Sequence, residues 1–111
     1  MNTEQLTKFL ISPDSTVVEA MQCIDRNARG ILFAAEDMRL VGVVTDGDIR
    51  RWLIKSGDLN GRVEQLMNLS PRFICQKDVK SAQDYMAKFS VTALPVVSLE
   101  GHIIDIVFEQ F

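Results

Sequence analysis

The chain has 111 residues, 47% hydrophobic and 24% charged, enough to bury one core but too few for two ordinary domains. Twelve basic against fifteen acidic side chains leave a net charge of -3 with no basic stripe, which argues against a nucleic-acid partner. The apolar runs stop after about half a dozen residues, far short of a membrane span, and the first five residues lack the basic start of a secretory leader. Cys23 and Cys75 have neither CxxC spacing nor a nearby histidine. They read as two buried, reduced thiols, as suits the cytoplasm, rather than as a zinc site or a disulfide.

In residues 1–10, Leu6, Phe9 and Leu10 stand at helical spacing and predict a short leading helix. Thr16-x-x-Glu19 has the spacing of a capping box, and Val17, Ala20, Met21 and Ile24 form one apolar stripe behind it. Two short apolar runs, Ile31 to Ala35 and Leu40 to Val44, flank the polar turn Glu36 to Arg39 and predict an antiparallel hairpin. A helix follows over Ile49 to Ile54, is broken by Gly57 to Gly61, and gives way to a short turn at Val63 to Met67. Asp78 then caps a second amphipathic helix with Val79, Ala82, Met86 and Phe89 on its stripe. Ala93 to Ser98, the turn Leu99 to His102, and Ile103 to Phe108 predict a second hairpin.

These elements repeat. At an offset of 62, Val17 meets Val79, Ala20 meets Ala82, Ile24 meets Met86 and Leu32 meets Leu94. After the hairpin turn the offset becomes 63, so that Leu40 to Val44 meets Ile103 to Val107. The strands are almost wholly apolar and so are covered on both faces. The expectation is an α+β fold in which two related halves pack through small sheets, with helices outside. Its parts would be a leading helix at 1–10, a first motif at 11–62 and a second at 63–111.

Chemistry concentrates in Gly42-Val-Val-Thr45-Asp46-Gly47-Asp48-Ile-Arg50-Arg51. A strand ends there and a helix begins, exposing free N–H groups at the positive end of a dipole, with Gly47 allowing close approach. A carboxylate in the first turn could accept hydrogen bonds from the vicinal hydroxyls of a ribose. On the other reading Asp46 is an N-cap, and Asp48 with Arg51 is a surface i, i+3 ion pair. Spacing alone leaves both standing.

The tandem halves, with Gly-hydrophobic-hydrophobic-Thr-x-x-Asp closing the first, resemble a pair of cystathionine-β-synthase (CBS) domains over nearly the whole chain. The resemblance implies a regulatory module whose Thr45 and Asp48, with Gly42, hold the ribose of AMP, ADP or ATP. It places an adenine slot at Ser12 to Thr16 and Gly30 to Leu32, so that Ser12, Thr16 and Ile31 join the candidate residues, with Asp46 and Arg51 beside them. It implies no catalytic residue, no metal, no cofactor other than such a regulatory nucleotide, and a homodimer. In the second half Phe108 and Phe111 stand where the motif has Thr and Asp, so one nucleotide site at most is expected. Replacing Asp48 by alanine should then abolish binding and leave the fold intact.

The string Thr45 to Arg51 is also similar to CBS pairs attached to sugar-phosphate enzymes. The chain leads from Met1, which favours the N-terminal pair of a sugar-1-phosphate nucleotidyltransferase related to mannose-1-phosphate guanylyltransferases; the alternatives are the pair of an arabinose-5-phosphate isomerase-like enzyme and a ligand-free dimerisation scaffold. Either enzyme implies a covalently attached catalytic domain. Val43 to Asp48 also resembles the strand-Asp-x-Asp opening of haloacid-dehalogenase phosphatases. That chemistry needs a larger α/β domain, and a repeat of the first half occupies the space. A divalent cation at Asp46 and Asp48 is a weaker reading than solvated carboxylates, and for Arg50, Arg51 and Lys55 a solvated helix face weighs at least as much as a phosphate site. His102 reads as plain surface and Trp52 as packing.

Overall fold

The computed structural model describes residues 1–75 and 78–109. The elements in order are helix α1 (Thr3–Thr7), strand β1 (Leu10–Ile11), helix α2 (Val17–Asn27), strands β2 (Ile31–Glu36) and β3 (Arg39–Thr45), helix α3 (Asp46–Ser56), a 3-10 turn at Val63–Gln65, helix α4 (Val79–Phe89), and strands β4 (Ala93–Val97) and β5 (Ile103–Phe108). One sheet has the order β1-β2-β3 and the other is the β4-β5 hairpin.

Local chemistry explains the boundaries. Thr16 and Glu19 form the expected reciprocal capping box on α2, and Asp78 caps α4 by accepting from the Ser81 N–H. Both helices end on a non-glycine residue in the left-handed region, Ala28 at φ 57° and Ser90 at φ 55°, which are equivalent positions of the repeat. The β2–β3 turn holds Asp37 and Met38 at positive φ, as a two-residue hairpin turn matched to strand twist requires. The leading helix ends earlier than its apolar spacing implied. Phe9 lies beyond α1 and Leu10 enters β1, because this segment pairs in parallel with Phe33 and Ala34 of β2.

The alternation of β2 builds the layers. Leu32 and Ala34 point outward into a core with Val17, Ala20 and Ile24 of α2, Ile49 of α3 and Val63. Ile31 and Phe33 point the other way and meet Ala93, Val97, Ile103 and Ile106 of the second sheet, with Leu6 and Phe9. Ala82 and Met86 of α4 cover Leu94, Val96 and Val107. The two sheets therefore face each other and the helices lie outside, as the both-face apolar pattern predicted. On α4 the stripe is narrower than its spacing suggested: Val79, the first residue of the helix, is exposed, and the buried residues are Ala82 and Met86. The cysteines also differ from expectation. Cys23 is half-buried and Cys75 exposed, the latter because it lies in the loop before α4 and not on a core-facing element.

Candidate functional site

Thr45 ends β3 and is the N-cap of α3. Its hydroxyl accepts from the Asp48 N–H at 3.2 Å and donates to Asp48 Oδ2 at 3.1 Å, while its own N–H donates to the same oxygen at 2.9 Å. Asp48 Oδ1 accepts from Arg51 Nη2 at 2.8 Å. The helix cap and the ion pair thus exist together, and Asp48 is fixed by three donors while its side chain stays 22% exposed. The two Thr45 donors fill the acceptor sites of Oδ2, so Oδ1, shared with Arg51, is the oxygen that keeps acceptor capacity.

That open side is a cavity of ≈ 750 Å³ between the halves. The first half supplies Ile31 and Phe33 from β2, Val43 and Thr45 from β3, and Asp48 from α3. The rest comes from the inter-half segment Asn68, Ser70, Pro71, Arg72 and Phe73, and from Tyr85, Val91 and Ala93 of the second half. The segment is held in place by Asn68, which exchanges two backbone hydrogen bonds with Val43 at 2.8 and 3.0 Å, and by Ile74, which pairs in parallel with Val96. Arg72 stacks its guanidinium 3.9 Å from the Phe89 ring centroid and has no carboxylate partner among the described residues. The cavity thus presents one carboxylate and one hydroxyl on one wall, a guanidinium on another, and apolar and aromatic side chains between.

Of the residues singled out from the sequence, Ile31, Thr45 and Asp48 come together here. The others stand elsewhere. Gly42 faces away from the cavity against Met67, where a Cβ would meet Sδ at 2.7 Å. Ser12 and Thr16 do not line the cavity. Ser12 accepts from the Asp14 N–H, and Thr16 caps α2 and pairs with Arg62, so residues 13–16 are occupied with residues 61–64. Arg51 reaches the cavity only through Asp48, and it packs over Gly47, where a Cβ would be 3.1 Å from its Nη1. Asp46 is the first residue of α3 and not its cap; with Gly30 and Arg50 it lines a different, outer cavity of ≈ 850 Å³ between α2 and α3. Phe111, offered as the counterpart of Asp48, lies outside the described residues.

The residues the sequence reading missed are those of the inter-half segment. Ile74 pairs in parallel with Val96 as Ile11 does with Ala34, so residues 69–73 are the counterpart of residues 6–10, which lead into β1. Ser70, Pro71 and Phe73 also form one side of a second groove, with Leu40, Val41, Leu69 and Leu99. Leu69 and Leu99 are 71% and 97% exposed there. Among the described residues there is no group of three metal-ligating side chains, and no helix is long and apolar enough to cross a membrane.

Comparison with known proteins places this geometry. The family model described as CBS domain matches residues 6–55. Among curated proteins, the arabinose 5-phosphate isomerase GutQ of Escherichia coli O6:H1 is 36% identical over 89 residues, covering 78% of this chain and 28% of the relative. A probable arabinose 5-phosphate isomerase of Haemophilus influenzae is 32% identical over 100 residues, 87% of this chain and 30% of the relative. The chain thus spans under a third of the length of these relatives. Among solved structures, a CBS domain protein from Pyrobaculum aerophilum complexed with AMP superposes with a TM-score of 0.77 at 21% identity, covering 97% of this chain and 87% of that one. A CBS domain pair in complex with 5′-methylthioadenosine and S-adenosyl-L-methionine gives a TM-score of 0.76 at 20% identity, over 90% of this chain and 83% of that one. The relatives reported are isomerases and not the nucleotidyltransferases favoured from the sequence. In fold the chain is a CBS-domain pair, and its first repeat matches the CBS family by sequence as well.

Proposed function

We propose that this chain is the non-catalytic, regulatory CBS pair of a sugar-phosphate isomerase of the arabinose-5-phosphate type, and that its inter-half cavity takes an adenosine nucleotide. The observation that carries the reading is the convergence of Thr45, Asp48 and Arg72 on one cavity with an apolar slot between them. Asp48 and Thr45 meet the ribose hydroxyls, Ile31, Val91 and Ala93 flank the base, and Arg72 meets the phosphate. The partition into a leading segment at 1–10 and motifs at 11–62 and 63–111 goes with this reading. The isomerase relatives support it over attachment to a nucleotidyltransferase, and the AMP-bound fold neighbour supports the ligand class.

Regulation follows from linkage. The cavity is walled by both halves, so a ligand that binds one relative placement better shifts the population toward it, and only that differential affinity reaches an attached domain. The test is a thermal-shift titration of the chain with AMP, ADP, ATP, 5′-methylthioadenosine and S-adenosylmethionine, repeated in Asp48→Asn. A concentration-dependent rise for an adenosine nucleotide, lost in the variant, supports the reading; no rise at millimolar ligand overturns it. A scaffold without ligand is the second reading, favoured by Met21 and Ile54, which are 39% and 79% exposed beside the outer cavity of α2 and α3. A homodimer formed through that face, unaffected by nucleotide, is its signature.

A further inference from the structure

The repeat gives the nucleotide cavity a counterpart on the other side of the sheets, and its chemistry has changed. In the first half Ile31 pairs with Thr45 across the hairpin; in the second, Ala93 pairs with Phe108 at the same register. Phe108 packs against Phe9 in a tilted pair with ring centroids 4.9 Å apart, an aromatic contact where the first half has the Thr45 hydroxyl. Phe111 stands in the sequence at the position equivalent to Asp48, so the ribose acceptor is missing as well. What remains is a smaller cavity of ≈ 410 Å³, with Gln5, Lys8, Arg26, Asn27, Arg29 and Phe108 among its lining.

Lys8, Arg26 and Arg29 face this space together with the Met1 ammonium; Met1 pairs with Asp105 at 3.3 Å, and among the described residues no carboxylate lines the cavity or forms an ion pair with the other three. That is notable in a chain of net charge -3. The cations come from separate segments, and one side chain gathers them. Asn27 Nδ2 donates to the carbonyls of Lys8 and Ile31, both at 3.2 Å, and Asn27 Oδ1 accepts from the Arg29 N–H at 2.9 Å. Arg29 is further held by the Phe108 ring, 4.4 Å from its guanidinium carbon. Gln5, whose Oε1 accepts from the Asn2 N–H at 2.9 Å, also lines the cavity. Arg26, in the last turn of α2, has a second reason for its place, since a cation there complements the negative end of the helix dipole. Arg29, next after the Ala28 cap, stands at the same helix end, whereas Lys8 lies outside that helix and has no such reason.

We infer that this cavity is an anion site for a small phosphorylated molecule without a nucleoside. Guanidinium groups and an ammonium suit phosphate oxygens, an amide adds a neutral donor, and the volume admits a pyrophosphate-sized group. The site does not depend on the nucleotide cavity, so either can fail without the other.

The test is a titration of the isotope-labelled chain with inorganic phosphate and with pyrophosphate, followed by amide chemical shifts against sodium chloride at equal ionic strength. Saturable shifts are expected at Gln5, Asn27 and Arg29, with affinity weakened about tenfold or more in the Arg26→Gln/Arg29→Gln double variant and retained in Asp48→Asn. Shifts that match sodium chloride, that survive the double variant, or that centre on Thr45, Asp48 and Arg72 would overturn the assignment. The substituted side chains are exposed, so an unchanged spectrum elsewhere reports an intact fold.

Discussion

Asp48→Ala separates the two duties of one carboxylate. In the chain without ligand it removes three acceptor contacts: Thr45 N–H at 2.9 Å, Thr45 hydroxyl at 3.1 Å and Arg51 at 2.8 Å. The Arg51 pair contributes little, about 0–0.5 kcal/mol, since that guanidinium is 68% exposed. The Thr45 N–H is partly buried, and leaving it without an acceptor costs about 1 kcal/mol. The Thr45 hydroxyl still caps the N–H at position 48, so half of the capping box survives. The sum is about 1–2 kcal/mol, a fall of roughly 4–8 °C in Tm for a domain of this size. The substitution is therefore expected to leave the fold intact but less stable. Asp48→Asn keeps an oxygen for the Thr45 N–H and should lose less than half as much. Differential scanning calorimetry with and without AMP tests both duties, because ligand at a hundred times Kd adds about 2.7 kcal/mol to a competent site. A variant that melts with the unaltered chain would refute the capping argument. One that melts lower yet gains the full nucleotide increment would refute the ribose assignment.

Gly42→Ala would put a methyl group 2.7 Å from Met67 Sδ and 3.1 Å from the Asn68 carbonyl, displacing the segment that carries Ser70 to Phe73. A loss of about 1–3 kcal/mol together with weaker AMP binding is expected, and an unchanged melt would show that Met67 yields freely. Ala28→Gly and Ser90→Gly relieve left-handed backbone at φ 57° and 55° and should each stabilise by roughly 1 kcal/mol, additively since they lie in different halves; calorimetry showing a lowered Tm would contradict this. Arg72→Gln should weaken AMP about tenfold while leaving adenosine unchanged, as read by isothermal titration; equal losses for both would remove Arg72 from the phosphate position.

The parts of this fold that were legible in the sequence are those decided within a few residues. Thr16 with Glu19, and Asp78 with Ser81, are side-chain-to-backbone contacts three positions apart, and each marked a helix start. The almost wholly apolar run of β2 told that both its faces are covered, without telling that Leu32 and Ala34 meet the helices and Ile31 and Phe33 the second sheet. The site shows that difference. Thr45 and Asp48 were found because their motif is local. The resemblance put the adenine slot at Ser12 to Thr16 and Gly30 to Leu32 of the same half; Ile31 does line the cavity, but the facing sheets bring Ser70 to Phe73, from the approach to the other half, into it in place of Ser12 and Thr16. A repeat folded face to face exchanges neighbours, and no spacing within one half records that exchange.

Ser70, Pro71 and Phe73 have a cavity on either side, the nucleotide cavity on one and the groove of Leu69 and Leu99 on the other. A partition of this kind cannot bulge into one chamber without enlarging its neighbour. An occupant that presses Phe73 outward alters the shape of an apolar surface to which a second body could adhere. The connector between the repeats is therefore more than a tether: it is a thin two-sided wall of a few residues, fixed at its rims by Asn68 and Ile74.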